Sequence, residues 1–535
     1  MDEHETHDPS GQDPGRGPGL PGATVVLQLL YLISQMLLFR SPEGVGYATI
    51  LLGGAKRTYR ILTEAFRGLL SLLYFRAEGD VPKDAALDEA IRQANGAATL
   101  GGRVHPVYTR VAPLGEDGVE IDLGDESGQA VVVTPSGYWI DQPTNHFIRP
   151  QGSLPLPIPV GGGSVDDLYQ FVNVTEVSDQ RLFTTCQLSR FLPHGPHVVV
   201  QIIGGYGCAK SSTARCSRSL IDPHVAALQG FGRSERDLAL AAHNGWLLVG
   251  DNISKLSPAI SDLLCRISTG GAQRVRKLYS DQDETITHLC NPVMINGISR
   301  LAMQLDLIDR TLTFILPSIG DAERRPERDL RRAFEVARPG IFGAFLELLV
   351  AVLGELPHVE LPSSPRMADF SRLGVACERV LGWPQGSFLA AYEANRMLSI
   401  AAVVDDDPVL QAVTTLAHRH GFWHGRASDL MTQLRKLVPR HVCSSAAWPR
   451  DARTLSAHLR RNAQGLATQG VELRFDRNVG GLKRVIEVRL SNSSTQGAGP
   501  VTTTCGPQAP RPGREDENGS HGENFRIEDL RVPDA

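Results

Sequence analysis

The sequence predicts an α/β chain: a layered core with a largely parallel sheet, preceded by a small α+β module and followed by a small helix-and-hairpin domain. Three observations carry that expectation. Apolar, strand-like runs alternate with helical segments through the middle of the chain. One of these runs, ending at Ile203, opens into the glycine-rich stretch "GGYGCAKSS". Near the C-terminus an arginine-bearing helical segment is followed by two runs that alternate apolar and polar residues.

A chain of 535 residues is too long for one ordinary domain and suggests about three. With 41% hydrophobic and 21% charged residues it has the composition of a soluble globular protein. The net charge of -5 excludes a whole-chain basic field, so contact with nucleic acid must come from local basic patches. Eight cysteines are scattered with no C-x-x-C pair, which points to reduced, separately buried thiols in a cytoplasm. The apolar stretch Thr24–Phe39 is short, is interrupted by Gln28, Ser34 and Gln35, and has no basic segment before it. It is expected to be a buried or amphipathic helix, and no membrane partner is expected.

Residues 1–22, rich in Gly, Pro and acids, are expected to be disordered. The α+β module, 23–150, should hold a helix over 24–39 and a hairpin "GYATILLGGAKRTYRI" with Gly53-Gly54 at its tip. Helices near 62–75 and 85–98 and paired strands in "GVEIDLGDESGQAVVVTPSGYWI" complete it. Nothing in this module has catalytic spacing; it carries no carboxylate cluster of the kind a primase would need. The connector "RPQGSLPLPIPVGGGS" (149–164) marks its boundary. The core, 165–355, contains the strand-like runs "HVVVQII", "GWLLVGD", "PVMINGI" and "LTFILP". A helical extension follows over 356–405, a small domain over 406–490, and a disordered tail over 491–535.

The stretch Gly204, Gly205, Tyr206, Gly207, Cys208, Ala209, Lys210, Ser211 and Ser212 reads as a phosphate loop between a strand and the helix "SSTARCSRSLI". Gly204 and Gly207 supply a permissive backbone, Lys210 a cation for β/γ oxygens, and Ser211 a hydroxyl for Mg²⁺. Ala209 stands where such loops usually carry glycine. At a helix start it is expected to take right-handed angles, at little cost. Asp251, at the carboxyl end of "WLLVGD", is placed to hold Mg²⁺ with Ser211; an ordinary buried strand ending in an Asp-Asn turn is the alternative. Asn252 follows it and cannot take a proton, which leaves the general base open among Glu235, Asp237 and Asp262. Asn296 ends the next strand and can position water against a γ-phosphate. Arg310 precedes the fourth and can reach a neighbouring subunit's nucleotide, or pair with Asp306 or Asp309 on its own surface.

This order of elements resembles the AAA+ P-loop ATPases, and more closely the superfamily 3 helicases of viruses, phages and mobile elements. The residues that carry the resemblance are "GGYGCAKSS", "WLLVGDN", "LLCRISTGGAQRVRKLYSDQDE" (263–284), "PVMINGI" and "DLIDRTLTF". The third stretch looks like the B′ motif of that superfamily, a helix end, a Thr269-Gly270-Gly271 turn and a basic hairpin. The resemblance implies that Arg274, Arg276 and Lys277 meet single-stranded DNA in a central pore; a solvated loop is the plain alternative. It implies ATP and Mg²⁺ as cofactors, a homo-oligomer in the form of a hexameric ring, and Arg310 acting in trans. "RPGIFGAFLELL" and "SPRMADFSRLGVACERVLGWPQGSFLAAYEANR" look like the helical region of ATP-binding proteins of actinobacterial and phage genomes. The chain departs from the family at Ala209, at Asn252 where an acidic residue is usual, and at Arg266 where lysine is frequent.

Residues 431–461 hold Arg435, Lys436, Arg440, Arg450, Arg453, Arg460 and Arg461 against the single acid Asp451. A helix and then a hairpin turning at Gly480-Gly481 fit a winged helix, with Arg453, Arg460, Arg461, Lys483 and Arg484 toward DNA. A basic packing domain that binds nothing is the alternative. Two functions follow: a Mg·ATP-dependent helicase-like motor in mobile-element DNA replication, or a nucleotide-switched DNA-binding regulator or defence protein with slow or no hydrolysis.

Overall fold

The computed structural model describes residues 24–231, 234–276, 284–302, 304–361, 365–445, 448–477 and 484–491. The expected disordered ends, Lys277, Lys483 and the Gly480-Gly481 turn lie outside the described residues, Ser491 of the tail excepted. The chain is a mixed α/β fold.

The N-terminal part starts with α1 (Val25–Ser34), β1 (Leu37–Arg40), β2 (Gly46–Leu52), β3 (Ala55–Arg60), α2 (Glu64–Glu78) and α3 (Asp84–Gly96). Thr24 and Thr63 cap the two first helices with their side-chain oxygens. The expected helix over 24–39 ends at Ser34, because Leu37–Arg40 pairs antiparallel with β2 and parallel with β4 (Arg103–Val104). Tertiary pairing overrides the local apolar run. The resulting sheet, β3-β2-β1-β4, packs Ala48 and Ile61 against Leu29, Ile33, Phe66, Leu70 and Ile91 of the helices.

After β5 (Val107–Tyr108), an antiparallel meander is formed by β6 (Val111–Leu114), β7 (Gly118–Asp122), β8 (Ala130–Thr134) and β9 (Gly137–Asp141), and β10 (His146–Phe147) pairs with β5. The meander's Val119, Ile121, Val131 and Val133 belong to the same apolar core as the elements after residue 165. Arg110, 1% exposed, fastens this junction. It donates to the carbonyls of Asp122 (3.0 Å) and Leu154 (2.9 Å) and faces the Asp222 carboxylate at 3.5 Å. The core thus runs through the connector at 149–164.

The central layer contains α4 (Val177–Ser189), β11 (Val199–Ile203), α5 (Lys210–Ser219), α6 (Glu235–His243), β12 (Leu248–Gly250) and α7 (Pro258–Thr269). Then come the hairpin β13 (Gly271–Arg276) and β14 (Glu284–Leu289), β15 (Val293–Gly297), α8 (Leu305–Ile308) and β16 (Thr311–Ile315). Its sheet is all parallel, in the order β12-β15-β11-β16. β11 and β15 are buried along their whole length, as a sheet covered on both faces requires.

Helix α9 (Glu327–Glu355) carries Pro339 in its interior. With the turn after it, to His358, it is long enough to cross a membrane and holds an 18-residue window of mean hydropathy 1.8. Its Phe334, Phe342, Phe345, Leu349 and Val352 are buried in the protein core, which accounts for that hydropathy. The connector lies directly on it: a Cβ on Gly343 would sit 2.2 Å from the Val160 carbonyl, so only glycine admits the crossing. Helices α10 (Ala368–Val380) and α11 (Ser387–Asp406) follow, and Asp407 with Pro408 starts α12 (Pro408–His420). The last part is β17 (Phe422–Gly425), α13 (Ala427–Arg435), α14 (Arg440–Cys443), α15 (Ala452–Thr468), β18 (Val471–Arg477) and β19 (Arg484–Leu490). Its antiparallel sheet runs β17-β19-β18 over a core of Leu416, Leu430, Leu455, Leu459 and Val488.

Candidate functional site

The glycine-rich loop leaves β11 at Gly204, whose φ is 156°. A Cβ there would lie 2.8 Å from the Leu316 carbonyl and 2.7 Å from Cys208 Sγ, so the close approach of the next strand's end demands glycine. Ala209 caps α5 with φ 61° and ψ 28°. This corrects the right-handed angles expected of it: the loop turns into the helix through a left-handed residue, at about 1 kcal/mol for an alanine. Its surroundings hold it there. Cys208 is fully buried, Asn173 Nδ2 donates to the carbonyls of Cys208 (3.1 Å) and Pro317 (2.8 Å), and the Thr213 N–H donates to the Ala209 carbonyl at 2.9 Å.

Lys210 Nζ folds back and donates to the carbonyls of Gly204 (2.9 Å) and Gly205 (2.7 Å). Ser211 Oγ donates to Asp251 Oδ1 at 2.8 Å. The same carboxylate oxygen accepts from Asn296 Nδ2 at 2.7 Å, while Asn296 Oδ1 accepts the Asn252 N–H at 2.8 Å. A carboxylate only accepts and an N–H only donates, so these two partners fix the orientation of the amide. The sheet order explains the geometry. β15 lies between β11 and β12, so Asn296 at its end stands between Ser211 and Asp251. Asn252 itself has φ 52°, a second non-glycine residue in the left-handed region.

Ser211 and Asp251 place side by side two oxygens of the hard type that suits Mg²⁺ shared with phosphate and water, and Asn296 turns its Nδ2 toward them while its own oxygen is taken by the Asn252 N–H. Among the described residues no group of three or more His, Cys, Asp or Glu side chains is placed to hold a metal. Tyr206 is 86% exposed at the loop tip, and Ser212 faces a cavity of about 510 Å³ beside the loop. Asn173, Ala209, Arg324 and Leu330 also line that cavity. Arg324 lies over Gly207, with Nη2 3.0 Å from where a Cβ would stand, and pairs with Asp321 at 3.2 Å. No sequence motif marks either Asn173 or Arg324. The arginines of "ERRPER" were visible, but only the packing of the chain after β16 against the loop connects them to it.

The remaining expected residues lie elsewhere. Arg310 sits at the opposite end of the sheet, where its carbonyl accepts the Val199 N–H at 2.8 Å. The length of β11, at about 3.3 Å per residue, separates it from the loop by roughly 17 Å. Its guanidinium meets Asp306 Oδ1 at 2.7 Å, and Arg366 meets the same carboxylate. Glu235 pairs with Arg266 at 3.1 Å, Asp237 accepts from Ser234 Oγ at 2.6 Å, and Asp262 is exposed on α7. None of these three carboxylates is bonded to Ser211 or Asp251.

Arg274 and Arg276 lie in β13, in register with Ile286 and Glu284 of β14, after the turn at Gly270. On α15, Leu455, Leu459 and Leu466 face the core, while Arg453, Arg460 and Arg461 are exposed. Arg460 lies over the Phe475 ring at 4.2 Å. Arg484 stands opposite Arg477 at the open end of the β18–β19 pair.

Residues 165–398 match the model of the actinomycete integrative conjugative element replication protein family, and residues 409–503 match the model of the RepA C-terminal domain of the same elements. No curated protein matches the chain. Solved structures similar to it include an A-form apo structure of the NrS-1 C-terminal region, at TM-score 0.39 and 9% identity, covering 86% of this chain and 98% of that one. A second A-form apo structure of that region has TM-score 0.38 and 10% identity, covering 88% of this chain and 100% of the other. Through residues 165–398 and 409–503, the chain belongs to the family of replication proteins of actinomycete integrative conjugative elements.

Proposed function

We propose that this chain is a Mg·ATP-dependent ATPase, a P-loop protein of the superfamily 3 helicase type that acts on DNA when a mobile element replicates. The family supports the replication role. The finer reading is carried by one observation, the hydrogen bond from Ser211 to Asp251, which joins the loop to the end of a different strand. It puts a hydroxyl and a carboxylate side by side next to Lys210, as a phosphate-and-metal site requires. In this reading the backbone of residues 204–212 and Lys210 bind the phosphates, and Ser211 and Asp251 hold Mg²⁺. Asn296 orients the attacking water, and Arg310 serves a neighbouring subunit in a hexameric ring. Bound Mg²⁺ neutralises phosphate charge. Single-stranded DNA meets the β13–β14 hairpin with Arg274, Arg276 and Lys277. A winged-helix-like C-terminal domain adds Arg453, Arg460, Arg461, Lys483 and Arg484. The protein works in the cytoplasm.

The test is ATP turnover with and without single-stranded DNA, with the particle mass measured in both states. DNA-stimulated turnover is expected, abolished by Lys210→Ala and by Arg310→Ala, the latter with ATP binding intact. A second reading, a nucleotide-switched DNA-binding regulator, is favoured by Asn252, whose N–H is bound to Asn296 and whose side chain cannot accept a proton. Tight ATP binding with no turnover in either state selects it.

A further inference from the structure

The edge strand β3 lines a second cavity, of about 420 Å³, whose lining also includes His243 and Asn244 at the end of α6. It shares no lining residue with the cavity beside the glycine-rich loop. Because β3 is the outer strand of its sheet, residues from Lys56 through Arg60 all border the cavity.

Its cations are not equivalent. Lys56 Nζ directs its three donors at the carbonyls of Pro143 (3.2 Å), Thr144 (2.9 Å) and Asn145 (3.0 Å). Arg149 is bound through two nitrogens to the Asp122 carboxylate, at 2.7 and 3.0 Å, and to the Asp125 carbonyl. Both hold loops in place. Arg57 and Arg60 form no ion pair among the described residues. Arg57 gives one N–H to the Glu126 carbonyl at 2.9 Å. Arg60 gives one to His243 Nε2 at 3.0 Å, and its Nε is buried with no partner. A guanidinium only donates, so His243 Nε2 accepts and the ring is neutral. Burial, and then the Arg60 charge, hold the His243 pKa below its usual value, in agreement with that state. Of the two carboxylates at the cavity, Asp122 is taken by Arg149 and Glu64 is exposed at the start of α2.

We propose that this cavity is a second phosphate-binding site, in which Arg57 and Arg60 receive a nucleotide phosphate from a free nucleotide or from a nucleic-acid strand. Among the described residues Arg57 and Arg60 each give only one terminal N–H to another residue, which leaves the rest of each guanidinium edge for a ligand, and the planar fork of arginine matches phosphate. The volume falls within the range of small-molecule sites. α6 is followed by β12, and Asp251 comes directly after that strand, so a ligand here joins the N-terminal sheet to the segment that leads to that carboxylate.

The experiment uses the full chain carrying Lys210→Ala, which silences the loop site, so that failure of this proposal and failure of the loop reading are told apart. Binding is measured with inorganic pyrophosphate, dATP and a short oligothymidylate. Pyrophosphate is expected to bind, and to bind about tenfold or more weakly once Arg57→Gln and Arg60→Gln are added. Displacement of pyrophosphate by the oligothymidylate assigns the phosphate to a strand, and displacement by dATP alone assigns it to a free nucleotide. Asn244→Glu, on the exposed rim, adds a carboxylate without touching either arginine or the core and is expected to weaken binding similarly. Absence of pyrophosphate binding, or binding unchanged by Asn244→Glu, overturns the proposal.

Discussion

Ser211 Oγ and Asp251 Oδ1 lie 2.8 Å apart although 40 residues separate them. The loop and the end of β12 meet there without a direct strand-to-strand pairing, since β15 intervenes. Asp251→Asn keeps an acceptor for Ser211 and removes only the charge. Turnover of Mg·ATP is expected to fall by about a hundredfold or more, with ATP binding in the presence of a chelator little changed. A magnesium titration of turnover and of binding checks both halves.

Ala209 is held at φ 61°. Ala209→Gly removes the clash of its Cβ with the backbone and is expected to raise stability by about 1 kcal/mol. The rise should survive Lys210→Ala, because it comes from the backbone and not from a ligand. Denaturant unfolding of the paired variants measures it, and a loss of stability in Ala209→Gly contradicts the account.

Asn296 is 1% exposed and serves two partners at once. Asn296→Ala leaves the Asn252 N–H without its acceptor and the Asp251 carboxylate without one of its donors. The expected cost is about 1–3 kcal/mol. Asn296→Asp should fare worse, because it sets two carboxylates against each other and raises the pKa of the pair. Unfolding of both variants above and below pH 5 separates the lost bond from the added repulsion.

His146, buried against the Phe39 ring at 4.3 Å and close to Thr49 Oγ1 at 3.2 Å, has its pKa pushed down to about 4 by burial, and then by Lys56 and His105. The unfolded chain takes up this proton near pH 6.5, and the folded chain does not until about pH 4. The contribution to stability is therefore complete above pH 6.5 and declines as the pH falls toward 4. Amide protection at Tyr47–Thr49 in β2, corrected for the intrinsic pH dependence of exchange, should fall across that window in the wild-type chain, and His146→Gln should lack this fall.

The four central strands, the loop and the helix after it were legible because buried parallel strands are continuous apolar runs and the loop's residues are contiguous. The hairpin at Gly53-Gly54 and the meander were legible from alternation. What the sequence hid depended on distant partners. Leu37–Arg40 reads as the end of a helix until β2 and β4 offer it pairing. Ala209 reads as right-handed until the approach of Leu316 and the bonds from Asn173 fix the loop's path. Arg60 and His243, 183 residues apart, carry no shared pattern at all.

The lysine of the loop is already engaged. Lys210 gives two of its three N–H groups to the carbonyls of Gly204 and Gly205, so an arriving anion does not meet an idle cation but competes with those carbonyls for it. Affinity at this loop is a difference between two sets of contacts. A change that loosens the lysine's hold on its own backbone will tighten ligand binding without adding any contact to the ligand.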